Sequence, residues 1–208
     1  MKIKTIRFQK LSNIVFENDR EVKGIIICLA FFAGAMIIGA GFIKSITIFN
    51  TEICNIISNF LNIRQELSIL SLFFNSILIN YCCLLILILF GMSCIGIPFG
   101  ILIVMLKGFG MGILSGLLFS AYKISGIGYY LLIILPGGII ANSALIFMAS
   151  SSCFFSSDIL SVLMGRKHID REVISPFLKK GLIMSAVTVS ASLIDCIFAR
   201  LFSYLFVF

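Results

Sequence analysis

Charged residues are scarce in this chain, and their scarcity decides its class. Only 12% of the 208 residues are Asp, Glu, Lys or Arg, whereas 60% are hydrophobic. Typical soluble domains carry about twice that charged share, because they need it to cover their surface. The composition excludes an ordinary soluble domain and predicts an all-α protein, a polytopic integral membrane helical bundle.

Residues that carry chemistry are also few. The single histidine, His168, has no second histidine or carboxylate cluster near it in the sequence, and the seven cysteines follow no metal-ligand or paired spacing. The sequence contains no HExxH, GxSxG or GxxxxGK[ST] motif and no paired carboxylates at helical spacing. We predict that the protein is not an enzyme and has no catalytic, cofactor-binding or metal-binding residues.

Long apolar runs are what the chain does contain. A helix needs about 20 apolar residues to cross the hydrocarbon core. The apolar runs predict about five transmembrane helices, at 24–43, 70–92, 98–122, 126–154 and 181–208. The second and third are separated by "GMSCIGIPFG", in which Gly96 and Pro98 disfavour a continuous helix and predict a turn.

Lysine and arginine set the predicted orientation. Six of them lie in residues 1–23 and five in residues 155–180, whereas the opposite side holds Lys44, Arg64 and Lys123. Cytoplasmic loops carry the excess of positive charge. We therefore predict an N-in, C-out protein in the cell membrane.

The whole chain, 1–208, forms one predicted polytopic membrane domain. Residues 1–23 are its cytoplasmic N-terminal segment, residues 155–180 are a basic cytoplasmic loop, and residues 44–66 lie outside with a short interfacial helix. The net charge of +7 comes from these juxtamembrane segments. It indicates contact with membrane lipid and no nucleic-acid partner.

Lys107 stands near the middle of the third span, where an unpaired charge costs a few kcal/mol or more. One interpretation makes it a substrate, proton or partner contact, and the other makes it a lysine paired with a neighbouring helix. Gly108, Gly112 and Gly116 recur at every fourth residue beside it and predict a face for close helix packing. Asp195, in the fifth span, is the candidate partner for Lys107 by charge balance.

The stretch "LLIILPGGIIANSALIF", residues 131–147, places Pro136 and Asn142 inside the fourth span. Broken helices in membranes persist where protein, water or a ligand satisfies the freed backbone. Two interpretations stay open: a midplane ligand site of the kind that transporters build, and a packing kink in which Asn142 hydrogen-bonds a neighbouring backbone.

Four motifs carry a resemblance to a known family. They are "FFNS", with Asn75 entering the second span, "FGMSCIGIPFGILI" at the turn, "LKGFGMG" in the third span and "ILPGGIIANSALI" in the fourth. Together they cover about eighty residues, from 70 to 150. The chain resembles the stage II sporulation protein M family of endospore-forming bacteria. Its length and its predicted five-span topology agree with that family.

The resemblance implies a non-enzymatic scaffold in the mother-cell membrane. Such an anchor holds a peptidoglycan-degrading complex, with a lytic transglycosylase and an amidase-endopeptidase as partners, during septal thinning and forespore engulfment. The residues that we expect to serve packing or partner contacts are Asn75, Lys107, Gly108, Gly112, Gly116, Pro136, Asn142 and Asp195.

The alternative is a small-solute or ion transporter component. In that hypothesis Lys107, Asn142 and Asp195 form a midplane polar site around Pro136. Loss of flux with the protein still present would favour transport, whereas loss of partner recruitment or of stability would favour the scaffold.

Overall fold

The computed structural model describes residues 19–46, 68–165 and 174–202. These residues contain no strand, and their helices are α1 (Asp19–Ile46), α2 (Ile69–Gly91), α3 (Gly96–Tyr129), a π-helical turn (Tyr130–Ile134), α4 (Leu135–Leu163) and α5 (Ile174–Phe202). The predicted all-helical class is confirmed. Four helical runs are long and apolar enough to cross a membrane: Glu21–Ile43, Ile69–Gly91, Gly96–Leu163 and Ile174–Phe202.

The third of these runs is 68 residues long and bends back on itself. A straight helix of that length would extend about 100 Å, over three times the thickness of the hydrocarbon core. Lys123 interrupts it with φ 50° and ψ −121°. Beyond this residue, Gly126 lies against the carbonyl oxygen of Leu118, although residues eight apart in a straight helix are separated by about 12 Å. The count of five spans and the orientation stay predictions.

The turn between α2 and α3 coincides with the one predicted at 91–100. Helix α2 ends at Gly91, and α3 begins at Gly96. Ser93 closes the turn by donating its hydroxyl to the carbonyl of Phe90 at 2.8 Å. Pro98 is the third residue of α3, within the first turn, where the missing N–H of proline costs no helical hydrogen bond.

Two predicted boundaries of the last connection were wrong. Helix α4 continues past residue 154 to Leu163, and α5 begins at Ile174 instead of residue 181. The added turns pack against each other, because the rings of Phe155 and Phe177 stack with centroids 4.5 Å apart. The predicted loop at 155–180 is therefore largely helical, and its residues 166–173 lie outside the described part of the chain.

Two further predictions fall on residues that the structure does not describe. They are the interfacial helix within 44–66, of which residues 47–66 are outside the described ranges, and the N-terminal segment up to residue 18. Residues 44–46 belong to the end of α1.

Helices α1 and α3 approach each other through the glycines spaced four apart. A Cβ atom at Gly108 would lie 2.5 Å from the carbonyl oxygen of Phe32, and one at Gly112 would overlap the carbonyl oxygen of Met36. Gly116 continues the contact one turn further along α3. Since backbone lies against backbone here, any side chain on this face of α3 would push α1 away.

Buried serines of α4 connect that helix to the turn between α2 and α3. Ser152 donates its hydroxyl to the carbonyl of Leu87 at 2.7 Å, and the hydroxyl of Ser156 accepts the backbone N–H of Gly96 at 3.1 Å. Both serines are fully buried. The two hydrogen bonds fix the register of α4 against the end of α2 and the start of α3.

We predict that Gly112→Ala destabilises the bundle by about 1–3 kcal/mol, because the added Cβ overlaps the α1 backbone. Gly110→Ala is the matched control: it lies on the same helix, and a Cβ there has nothing within 4 Å. The Gly110→Ala substitution should leave the free energy of unfolding unchanged or raise it slightly, because alanine has a higher helix propensity than glycine. Reversible unfolding in mixed detergent micelles measures both, and equal stability of the two variants would contradict the glycine contact.

Candidate functional site: a polar cavity inside the bundle

A cavity of about 300 Å³ lies between α2, α3, α4 and α5. Each helix contributes residues spaced three or four apart, which is one face of a helix. The lining residues are Leu72, Asn75, Ser76, Ile79, Asn80, Lys107, Met111, Leu114, Ile134, Gly137, Gly138, Ala141, Asn142, Ala191 and Asp195.

Helix α3 presents two different faces. Lys107, Met111 and Leu114 line the cavity, whereas Gly108 and Gly112 contact α1. Consecutive residues of an α-helix are rotated by about 100°, so Lys107 and its neighbour Gly108 belong to different faces. The glycine contact with α1 thus fixes the direction in which the Lys107 side chain leaves α3.

The Lys107 ammonium donates a hydrogen bond to the Oδ1 atom of Asn80 at 2.7 Å. Asn80 lies 11 residues before Gly91, the end of α2, and Lys107 lies 11 residues after Gly96, the start of α3. Two antiparallel helices that leave one turn reach the same depth after equal lengths, about 16 Å here. The Nδ2 atom of Asn80 in turn donates to the carbonyl of Ser76 at 3.0 Å, which holds the amide with its oxygen toward Lys107.

Asp195 reaches the same cavity from α5. Its carboxylate accepts a hydrogen bond from the hydroxyl of Ser76 at 3.2 Å and attracts the Lys107 ammonium electrostatically. The glycine at position 137 makes room for it, because a Cβ there would lie 2.6 Å from the Cβ of Asp195. The predicted Lys107–Asp195 partnership is thus electrostatic, whereas Lys107 donates its hydrogen bond to Asn80.

Asn142 also lines the cavity, but its amide is not used in the way that the packing interpretation proposed. The residue is only 6% exposed, and its Oδ1 atom has no hydrogen-bond partner among the described residues. A buried carbonyl oxygen without a donor costs about 1–3 kcal/mol. The cavity therefore contains one acceptor that the surrounding helices leave unsatisfied.

Pro136 widens the helix without breaking it. The turn that precedes it is π-helical, and the N–H of Leu135 donates to the carbonyl of Tyr130, five residues earlier. Proline has no N–H and its ring crowds the carbonyl four residues before it, so a wider turn relieves both problems. The chain remains helical on each side, and Gly137 and Gly138 follow immediately as part of the cavity wall.

The predicted residues separate into three groups in the structure. Asn75, Lys107, Asn142 and Asp195 converge on the cavity, with Asn75 exposed at its edge. Gly108, Gly112 and Gly116 form the contact with α1. Pro136 lies between cavity-lining residues and is not itself one of them.

A second ionic contact joins the starts of α1 and α5. Lys180 is 7% exposed, and its ammonium donates to both carboxylate oxygens of Glu21, at 2.6 and 2.8 Å. The hydroxyl of Ser150, from α4, donates to the backbone carbonyl of Glu21 at 3.2 Å. Three helices thus meet at this pair.

Sequence reasoning did not select Asn80, Ser76, Glu21 or Lys180. Asn80 could have been selected from the sequence, because it is an amide within an apolar span. It also lies as far from the predicted turn as Lys107 does. Glu21 and Lys180 could not have been selected, because both lie in charged stretches that resemble solvated ends of spans. Metal binding is not indicated within the described ranges, where no group of three His, Cys, Asp or Glu side chains comes together.

Comparison with known proteins identifies a family. The family model described as SpoIIM: Stage II sporulation protein M matches residues 28–200. The matched region includes most of α1 and all of α2, α3 and α4, and it extends to the last turn of α5. No curated protein and no solved structure matches the chain.

We predict that Lys107→Met lowers the free energy of unfolding by a few kcal/mol, because it leaves the Oδ1 atom of Asn80 without the Lys107 donor and removes a cation that attracts the Asp195 carboxylate. Adding Asp195→Asn should restore part of the loss, since the carboxylate charge is then gone. A double-mutant cycle of unfolding in mixed micelles measures the coupling. Strictly additive losses would show that the two side chains do not interact.

We predict that Lys180→Met destabilises the protein by up to about 3 kcal/mol, because Glu21 then keeps a largely buried charge without its partner. Lys179→Met is the control, since that side chain is exposed on the same turn. The exchange Glu21→Lys with Lys180→Glu should recover much of the stability. Unfolding in mixed micelles measures the stability of each variant. An equal loss of stability in Lys180→Met and Lys179→Met would contradict the ion pair.

Proposed function

The chain belongs to the stage II sporulation protein M family, and from that premise we propose that it is a non-enzymatic membrane scaffold for a peptidoglycan-degrading complex. Family membership makes it a sporulation-related membrane protein. The observation that carries the proposal is that the family match extends across the helical bundle and is not confined to one motif. The complex would act in septal thinning and forespore engulfment, in the mother-cell membrane.

We further propose five membrane crossings with the N-terminus in the cytoplasm. The reversal at Lys123 supports two antiparallel crossings within the run Gly96–Leu163, because one crossing accommodates far fewer than its 68 residues. The start of α5 lies beside the start of α1 through Glu21 and Lys180. Glu21 and Lys180, which belong to the basic segments 1–23 and 155–180, therefore lie at the same end of the bundle, which supports a cytoplasmic location for both segments.

This orientation assigns the partner contacts. Residues 44–66 would face outward, on the side where enzymes that cleave peptidoglycan work. The proposed partners are a lytic transglycosylase and an amidase-endopeptidase. In the described part of the chain, only four residues, 92–95, connect α2 to α3. A protein built in this way acts on its partners through its spans and short connections.

A second candidate function is transport of a small solute or ion. The convergence of Lys107, Asp195 and Asn142 on one cavity favours it. Partner recovery and flux, measured at equal amounts of accumulated Lys107→Met protein, separate the two functions. A transporter variant would lose flux and keep its partners, whereas a scaffold variant would lose partner recruitment.

Affinity capture from sporulating cells tests the scaffold. Tagged protein, solubilised in mild detergent, should recover both wall-degrading enzymes, and an untagged strain should recover neither. A variant with residues 51–66 scrambled at constant composition should accumulate normally and recover less of each enzyme. Recovery of solute-binding proteins or ATPases in place of the two enzymes would contradict the scaffold.

A further inference from the structure

The cavity described above contains both signs of charge and one unused acceptor. Lys107 and Asp195 line it with opposite formal charges, and the Oδ1 atom of Asn142 has no partner among the described residues. Asn142 is more than nine-tenths buried, so bulk solvent does not satisfy this oxygen at the protein surface. The cavity thus has a specific unmet requirement for a hydrogen-bond donor.

The occupant is limited by size. About 300 Å³ is at the lower end of the range for small-molecule sites. One turn of a helix 10 Å wide fills roughly 400 Å³, so the cavity is too small for a transmembrane segment of another protein. It suits a group of the size of an amino acid or a lipid headgroup.

The charges limit the occupant further. The formal charges of Lys107 and Asp195 cancel, so a ligand of net charge would bring an uncompensated charge to membrane depth. A zwitterion is neutral overall and can use both residues. Its anionic end would accept from the Lys107 ammonium, which has three N–H donors, and its cationic end would donate toward Asp195 and the Oδ1 atom of Asn142. Hydrogen bonds that involve ionised groups are the stronger kind.

The entrance lies on the α2 side of the cavity. Among the lining residues, Asn75 and Ile79 are the exposed ones, and both belong to α2, whereas the α4 side of the cavity, with Gly137, Ala141 and Asn142, is buried. A ligand therefore enters at the α2 side and stops against α4.

We propose that the cavity binds a zwitterionic ligand whose cationic end carries N–H donors, such as an ethanolamine phosphate group. This group is available as the headgroup of a membrane lipid or as a free small molecule. The proposal requires no partner protein, so its outcome is independent of the scaffold function.

The test is calorimetric titration of the purified full-length protein in delipidated detergent. The probes are short-chain phosphatidylethanolamine, short-chain phosphatidylcholine and glycerophosphoethanolamine. Phosphatidylcholine has the same charges, but its quaternary nitrogen has no N–H. We expect phosphatidylethanolamine to bind at least about tenfold more tightly than phosphatidylcholine. Binding of glycerophosphoethanolamine as tight as that of the lipid would identify a free zwitterion, and much weaker binding would identify the lipid.

The variants locate the site. Asn142→Leu should abolish the preference for phosphatidylethanolamine, because it removes the unpaired acceptor. Ser143→Ala is the control, since the Ser143 hydroxyl donates to the carbonyl of Ile140 on its own helix and does not line the cavity. Gly138→Ala is a second variant, which narrows the cavity beside the flexible end of Met111 and should weaken binding without removing a polar group.

Three results would overturn the proposal. They are absence of binding by all three probes, equal affinity for the two lipids in the native protein, and an unchanged preference in Asn142→Leu. Unfolding measurements on each variant confirm that it is folded before it is titrated.

Discussion

The hydrocarbon core offers no hydrogen-bond partners, so a polar group buried in this bundle must find one inside the protein. The buried serines of α4 meet this constraint through backbone groups of neighbouring helices. Lys180 forms an ion pair with Glu21. Lys107 donates a hydrogen bond to Asn80 and is attracted electrostatically by Asp195. The helices are thus arranged so that these polar groups are paired. In the cavity, the buried Oδ1 atom of Asn142 is left without a partner among the described residues.

Close packing and the polar cavity depend on each other. The glycine face of α3 brings its backbone against that of α1, and the neighbouring face then directs Lys107 toward α2. The wider turn before Pro136 and the two glycines after it shape the opposite wall. Small residues therefore set the direction in which the few large polar side chains point, as is common among helices packed in membranes.

Much of the fold follows from the sequence, because membrane spans are defined by length and hydropathy. The turn before Pro98 and the packing role of the glycines spaced four apart were predictable from local chemistry. Asn80 was not found, because its role depends on the depth that it shares with Lys107 across a turn. The start of the fifth span was misplaced because charged residues suggested solvent, whereas Lys180 is buried against Glu21. Contacts between side chains of different helices cannot be predicted from the local sequence alone.

The central claim is that the bundle contains a hydrated cavity, lined by Lys107, Asn142 and Asp195, that polar molecules can enter. Thiol accessibility tests it most directly, because a cysteine reacts with water-soluble methanethiosulfonate reagents only where it is hydrated enough to ionise. In a cysteine-free background, Asn142→Cys should react, whereas Ile139→Cys, exposed on α4 outside the cavity, should stay inert in lipid. An inert cysteine at position 142, or equal reaction at both positions, would contradict the account.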